Sequence, residues 1–232
     1  MESDQYFFEI SLAYSQNILT DLFEERIILT EDIINHTAST TGLSFILAKG
    51  SEGNVCMANV KEVRPEFRHD FSPIEVLDYL FAVLHLSNYQ RLEKQFQETN
   101  FIYPKNAASF WELSLLGSKI KKIHSLQNLN IENFINEFNI LEDCIVKNPH
   151  YMNPSLMQRK YNRIYINEKQ YFENIPDDVW NFQTGTNHPA RKWLNDRVGK
   201  KLNCEDIIYY QKIIAALSKI HKLVKEINKI ME

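Results

Sequence analysis

The stretch at residues 182–202 combines the side chains that proteins use to hold nucleic acid. Cationic side chains neutralise phosphates, whereas amides and guanidinium groups form paired hydrogen bonds with base edges. We expect Gln183 and Asn187 to pair with adenine and Arg191 to pair with guanine. Gly185 lets the backbone approach a ligand closely. Two further polar side chains that can read bases lie in the same stretch: Thr186 and His188.

Phosphate contacts are expected from five cations of this region. They are Lys160, Lys192, Arg197, Lys200 and Lys201. Arg163, in a strand-like segment, is expected to contact bases, and Pro189 is expected to begin a helix whose positive end would face the same ligand. In the alternative interpretation, the cations only solvate a loop, and the aromatic neighbours belong to the core: Trp180, Phe182 and Trp193.

The charge of the chain is distributed unevenly. Residues 1–150 carry 12 Lys and Arg against 21 Asp and Glu, whereas residues 151–232 carry 14 against 9. The net charge is therefore −9 in the first part and +5 in the second, within a total of −4. A basic segment on an acidic chain favours a polyanionic partner such as double-stranded DNA, and chance clustering on a solvated face is the alternative.

Motifs for catalysis and metal binding are missing. No two of the 6 glycines form G-x-G, and the 7 histidines and 3 cysteines lack metal-ligand spacing, so we predict neither a catalytic residue nor a metal site. Residues 148–151, Asn-Pro-His-Tyr, lack the second proline of the N-P-P-aromatic loop of amino-methylating enzymes. Scattered cysteines and the absence of a secretory signal or a long apolar run favour a cytoplasmic protein.

The periodicity of apolar residues predicts an α+β fold. The pattern predicts short strands in the residues up to about 60 and a loop at 66–72. Helices are predicted at 73–89, 87–99, 106–126, 130–141, 189–197 and 204–232, with a short helical piece at 176–182. The segments 161–167 and 169–175 are expected to pair as strands, and Gly199 is expected to cap the helix at 189–197.

These elements predict a mainly helical protein with small antiparallel sheets and a long C-terminal amphipathic helix. We divide the chain into a β-rich segment at 1–72 and a helical and mixed domain at 73–232. A proline- and asparagine-rich break near 147–158 is a candidate subdomain boundary.

Five segments resemble, in order and spacing, the C-terminal region of large bacterial DNA adenine methyltransferases, notably type ISP and related single-chain restriction–modification enzymes. They are residues 78–90, 110–126, 161–182, 185–202 and 206–227. In that family this region is the target-recognition, or specificity, domain, which follows the methyltransferase domain and reads the DNA sequence. The family commonly shows a Gly-Gly-aromatic turn before P-A-x-K-W-L, and this chain has Gly185-Thr186-Asn187 there, which is compatible with a different target.

The resemblance implies a bacterial DNA-recognition domain that catalyses nothing alone. Its expected partners are double-stranded DNA and a methyltransferase domain or subunit, in cis or in trans. S-adenosylmethionine is expected as the cofactor of the parent enzyme and not of this chain, which we interpret as an excised or separately encoded C-terminal piece. The alternatives are a protein-interaction module that docks on a partner subunit without binding DNA, and an enzyme with an unrecognised site.

Overall fold

The computed structural model of the protein describes the side chains of several parts of the chain and the backbone of two further strands, at 8–10 and 27–29. The parts are residues 31–47, 68–86, 102–124, 138, 144–153, 162–183 and 188–232. The chain folds into two compact units. The first comprises Met1–Tyr14, Phe23–Lys121 and Leu223–Glu232, and the second comprises Ser15–Leu22 and Lys122–Lys222.

The first unit combines helices with two small sheets. Strands β1 (Phe8–Ile10) and β2 (Ile27–Leu29) pair antiparallel, whereas strands β3 (Ser44–Phe45) and β4 (Asp70–Phe71) pair parallel. The described helices are α1 (Glu31–Thr41), α2 (Pro73–Val83) and α3 (Ala107–His124), and the residues of α3 from Lys122 onwards belong to the second unit.

Helix α2 begins at a start signal in the sequence. Pro73 occupies the first turn, where the fixed φ of proline suits a helix and no intrahelical hydrogen bond is lost. The backbone N–H of Ser72 donates to Oε2 of Glu75 at 2.9 Å, and the Ser72 hydroxyl donates to the same carboxylate. A glutamate that reaches back to the residue before the helix is the capping-box arrangement, so α2 starts at a defined residue.

Aromatic rings form the centre of the first unit. The ring of Phe110 lies 5.5 Å from that of Phe71, 5.6 Å from that of Tyr79 and 5.0 Å from that of Trp111. All four side chains are buried. The Tyr79 hydroxyl donates to the carbonyl oxygen of Ile102 at 2.8 Å, which satisfies a polar group that would be costly to bury alone. These rings hold β4, α2 and α3 together.

Helices α2 and α3 make backbone contact at Gly117. A Cβ atom on Gly117 would lie 1.8 Å from the carbonyl oxygen of Asp78. One turn earlier on α3, the hydroxyl of Ser114 donates to the carbonyl oxygen of Glu75 at 2.9 Å. One turn later, Lys121 forms an ion pair with the Asp78 side chain. The crossing therefore depends on a residue without a side chain at position 117.

The second unit contains a three-stranded antiparallel sheet and helices. Strands β5 (His150–Met152), β6 (Arg163–Tyr165) and β7 (Tyr171–Glu173) lie in that order in the sheet. Two short helices follow, α4 (Asp177–Trp180) and α5 (Pro189–Asn195). The 28-residue helix α6 (Cys204–Met231) comes last, and its residues from Leu223 onwards belong to the first unit.

One face of this sheet forms the core of the second unit. Ile164 on β6 and Phe172 on β7 are direct partners in the register and are fully buried. The ring of Phe172 lies 4.8 Å from that of Tyr210 on α6. The six residues 213–218 of α6 are all buried, so this part of the helix is covered on every side.

The predicted α+β class is confirmed, including the small antiparallel sheets and the long C-terminal helix. The predicted helices that begin at 73, 106, 189 and 204 correspond to α2, α3, α5 and α6, and the predicted strand pair corresponds to β6 and β7. The predicted helices at 87–99 and 130–141 lie outside the described residues, apart from Phe138, as do residues 48–60 of the stretch predicted to form short strands. The domain boundary at residue 72 stays a prediction.

Three local expectations are wrong. Helix α1 lies inside the stretch up to about residue 60 that was predicted to form short strands, although its Thr and Ser residues have low helix propensity. The hydroxyl of Thr41 instead donates to the carbonyl oxygen of Thr37 at 2.6 Å within the helix. Strand β4 lies in the predicted loop and β5 in the predicted break, since each is defined by a partner distant in sequence.

Replacing Gly117 by alanine should lower the free energy of unfolding by about 3 kcal/mol, because backbone atoms of α2 and α3 would have to separate. Helix propensity predicts the opposite sign, a gain of about 1 kcal/mol. Urea denaturation followed by circular dichroism separates the two expectations. The exposed Lys119→Ala on the same helix is the control and should change little; a stabilised Gly117→Ala would disprove the close contact.

Acidification should destabilise the protein through His85, which follows α2. Burial lowers the pKa of His85 to about 4, against the opposing effect of its hydrogen bond to the Phe81 carbonyl oxygen. The unfolded chain, with a histidine pKa near its ordinary value, binds more protons between about pH 6.5 and 4, so stability falls as the pH drops through that range.

At about pH 5 the loss attributable to His85 should be on the order of 2 kcal/mol relative to neutral pH. Urea denaturation of the wild type and of His85→Gln at both pH values measures it, because glutamine keeps a donor and does not titrate. An equal decrease in both proteins would assign the pH dependence to other groups.

Candidate nucleic-acid interface

Helix α5 carries Arg191 and Lys192 and is anchored by its inner face. Ala190 and Leu194 are buried, and the hydroxyl of Tyr210 on α6 donates to the carbonyl oxygen of Ala190 at 3.1 Å. Lys192 is exposed on the outer face. Since α5 has only 7 residues, few peptide dipoles add up at its start, and any affinity for anions must come from its side chains.

The guanidinium of Arg191 forms hydrogen bonds within the second unit. Its Nε donates to the carbonyl oxygen of Trp180 at 3.0 Å, and its Nη2 donates to the side-chain oxygen of Asn181. The guanidinium carbon lies 5.2 Å from the centre of the Trp180 ring. Both acceptors are neutral, so the positive charge is not cancelled, but two of the five donors are occupied. The predicted pairing of Arg191 with guanine stays a prediction.

Arg197 lies against Trp193 at the end of α5. Its guanidinium carbon is 3.7 Å from the ring centre, and its Nη1 donates to the Trp193 carbonyl oxygen at 3.2 Å. Its Nε lies 3.9 Å from Oδ1 of Asp206, and both side chains are about a third exposed. Trp193 also stacks on Tyr210, with ring centres 5.0 Å apart. Trp193 is therefore a support for Arg197, whose charge Asp206 partly offsets.

The chain after α5 enters a bulged strand pair. The N–H of Gly199 donates to the carbonyl oxygen of Val146 at 2.7 Å, and the N–H of Val146 donates to the carbonyl oxygen of Lys200 at 3.0 Å. Gly199 and Lys200 thus oppose a single residue, which defines a β-bulge, and Gly199 has a φ of 82°, as the glycine type of bulge requires. Beyond the bulge, Lys201 and Ile145 form an antiparallel β-bridge.

The prediction that Gly199 caps the helix at 189–197 is wrong. Gly199 does adopt the left-handed conformation, but α5 ends at Asn195 and its C-cap, Asp196, is right-handed. The N–H of Gly199 serves the strand pair with Val146 instead. The left-handed residue is needed because the chain must turn from the helix into this pair within four residues.

Three exposed lysines surround the bulge, and in the described part of the chain their side chains make neither an ion pair nor a hydrogen bond. They are Lys147, Lys200 and Lys201. The sequence predicted the last two as phosphate contacts and missed Lys147, which lies far away in sequence in the predicted break. The pairing of Val146 with Lys200 brings Lys147 to the same place, and no local signal could have indicated this.

Arg163 on β6 has an internal partner. Its Nε donates to Oε1 of Glu173 at 2.7 Å, and the two residues are direct partners in the register of β6 and β7. Its guanidinium carbon lies 3.9 Å from the ring centre of Tyr171. The Arg163 and Glu173 side chains are only 19% and 16% exposed, so withdrawing Arg163 would leave a carboxylate unpaired in a partly buried place. This geometry favours a structural role, and the predicted base contact stays untested.

The predicted base-reading loop is described only at its ends. Gln183 is exposed and His188 is half-buried. Nδ1 of His188 lies 3.2 Å from the carbonyl oxygen of Phe182, which can only accept, so Nδ1 carries the proton and this hydrogen bond closes the base of the loop. Three other predicted contact residues lie outside the described residues: Lys160, Thr186 and Asn187.

Two specific features are absent from the described residues. No helix there is both long and apolar enough to cross a membrane. Nor do His, Cys, Asp and Glu side chains come together there in a group of three that could hold a metal ion.

The sequence matches the family model of the Type ISP C-terminal specificity domain over residues 15–227. No curated protein sequence matches the chain. One similar solved structure is a nuclease-deletion mutant of the Type ISP restriction-modification enzyme LlaGI in complex with a DNA substrate mimic, with 16% identity, a TM-score of 0.45 and coverage of 66% of this chain. Another is the ATP-dependent Type ISP restriction-modification enzyme LlaBIII bound to DNA, with 14% identity, a TM-score of 0.44 and 80% coverage. Each match spans 13% of the longer enzyme chain.

Replacing Gly199 by alanine should cost about 1–2 kcal/mol of unfolding free energy, because a residue with a Cβ atom disfavours a positive φ. Apart from Gly199 itself and its two chain neighbours, no atom lies within 4 Å of the position that the Cβ would occupy, so the cost is confined to the backbone. Asparagine tolerates this conformation better, so Gly199→Asn should lose less. Urea denaturation of both variants measures the difference, and equal losses would point to a steric cause.

Proposed function

We propose a DNA-reading role for this chain, which belongs to the Type ISP C-terminal specificity domain family. In this proposal it binds double-stranded DNA and supplies the sequence specificity of a bacterial restriction–modification enzyme that methylates adenine at N6. The chain itself would catalyse no reaction. A methyltransferase domain or subunit, in cis or in trans, would be its partner and would bind the methyl donor S-adenosylmethionine.

The observation that carries the proposal is the group of free lysines at the bulge after α5. Lys147, Lys200 and Lys201 are exposed, and within the described chain no carboxylate pairs with them. An ammonium group in this situation can neutralise a phosphate without first breaking an internal bond, and the counterions released from DNA then favour binding. The net charge of +5 over residues 151–232 attracts the same ligand at longer range.

Base reading is assigned to the neighbouring loop and helix start. The loop after Phe182 begins with the exposed Gln183 and is closed at its base by His188. Gln183 and Asn187 would pair with adenine, and Arg191 would use its remaining donors on guanine. A division into phosphate contacts that position the duplex and side chains that read bases is usual in DNA-binding proteins.

The double substitution Lys200→Gln and Lys201→Gln should weaken binding to cognate and random duplexes alike, because phosphate contacts carry no sequence information. The slope of log affinity against log salt should fall in magnitude by about two, roughly one for each lost phosphate contact. Fluorescence anisotropy titrations of a labelled duplex over a series of salt concentrations measure both quantities.

The matched control is Lys222→Gln with Lys229→Gln, two exposed lysines on α6. This variant has the same net charge as the first, and its salt slope should stay close to that of the wild type. Equal changes in the two variants would mean that only overall charge matters. A bulge variant that binds as the wild type does would remove these lysines from the interface.

A protein-docking role is the second candidate. Two large aliphatic side chains in the first unit, Ile74 on α2 and Leu115 on α3, are 59% and 54% exposed. Exposed aliphatic side chains mark a protein interface where they form a contiguous patch. Retention of a methyltransferase subunit at high salt, combined with no binding to any duplex at low salt, would support docking and contradict DNA reading.

A further inference from the structure

Val198 is an aliphatic residue at the tip of the turn that follows α5, and it is 50% exposed. The N–H of Lys200 donates to the carbonyl oxygen of Arg197 at 2.9 Å, so residues 197–200 form a β-turn with Val198 and Gly199 at its centre. The bulge joins the same turn to Val146 through two hydrogen bonds. The tip is therefore held by backbone hydrogen bonds on both sides.

The surroundings of Val198 are positively charged. Four cations belong to the turn and to the strand paired with it: Lys147, Arg197, Lys200 and Lys201. Among the described residues, the turn has one carboxylate of its own, that of Asp196, and Arg197 lies 3.9 Å from a second, that of Asp206. Among these described residues the cations outnumber the carboxylates, so a polyanion would be drawn to the place where Val198 is exposed.

An exposed aliphatic side chain gains nothing from a phosphate, but it gains free energy when it leaves water against another apolar group. In the major groove of DNA the apolar group on the base edges is the thymine methyl. We propose that Val198 reads thymine by contact with this methyl group while the lysines beside it neutralise the flanking phosphates. This assignment rests on the DNA-reading function proposed above and adds a residue to it.

The geometry of the strand pair suits this position. The segments 144–147 and 199–202 are joined by backbone hydrogen bonds, and the N–H of Lys147 also donates to the carbonyl oxygen of Ile166 at 2.8 Å, so the rest of the unit backs this pair. The turn at 197–200 is the part of the pair that would enter the major groove, which is wide enough to admit even a two-stranded ribbon. Gly199 has no side chain next to Val198 that would hold the bases away. Because the turn is already ordered before binding, little conformational entropy is lost when it enters the groove.

Thymine and deoxyuridine differ only in the methyl group, which makes them the probes for this contact. The whole chain is first used to select its preferred sequence from a pool of duplexes with a randomised centre. The selected duplex is then made with deoxyuridine in place of thymidine, and affinity for both is measured for the wild type, Val198→Ala and Ile208→Ala. Ile208 is the matched control, because it is an aliphatic residue of similar exposure, 48%, on α6.

The wild type should bind the thymidine duplex about fourfold more tightly, which corresponds to about 0.8 kcal/mol for one buried methyl group. Val198→Ala should lose this preference and Ile208→Ala should keep it. A preferred sequence without an A·T pair, a wild type indifferent to the methyl group, or a preference that survives in Val198→Ala would overturn the assignment while leaving DNA reading intact. If the chain selects no sequence, the DNA-reading function fails and the assignment fails with it.

Discussion

The packing around Tyr210 is the contact on which the second unit and its candidate interface depend. This fully buried ring on α6 lies 4.8 Å from Phe172 of the sheet and 5.0 Å from Trp193 of α5. Its hydroxyl donates to the carbonyl oxygen of Ala190 at 3.1 Å, and burial raises the pKa of the phenol, so it stays a neutral donor. One side chain thus joins the sheet, α5 and α6.

Arginine and lysine behave differently on this surface. Arg163, Arg191 and Arg197 each place a guanidinium within 5.2 Å of an aromatic ring centre and donate hydrogen bonds within the unit. Lys200 and Lys201, in contrast, are exposed. A planar, weakly hydrated guanidinium can stack and form several hydrogen bonds at once, whereas a strongly hydrated ammonium group stays in water. The lysines are therefore the cations most available to an external anion, and the arginines shape the surface that presents them.

Elements defined by contacts between residues close in sequence could be predicted, whereas elements defined by contacts between distant segments could not. Helix α2 was predictable because Pro73 and Glu75 are local start signals and the apolar residues that follow repeat with helical spacing. Helix α6 was predictable because its apolar residues also repeat with helical spacing. Strand β5 was not predictable, because residues 150–152 form a strand only by pairing with residues 163–165. They show no alternation of apolar and polar residues, and the prolines around them indicate a break. Gly117 likewise shows no sign in the sequence that a second helix passes against it.

The sequence by itself determined the chemical character of the candidate interface: a basic segment, a short helix begun by Pro189, and the long amphipathic helix behind it. Only the tertiary structure decided which charges are available. It paired Arg163 with Glu173, left Lys200 and Lys201 exposed, and added Lys147 through a strand pair across the chain. The physical reason is that charge and period are properties of neighbouring residues, whereas burial and pairing depend on groups that meet only when distant segments pack together.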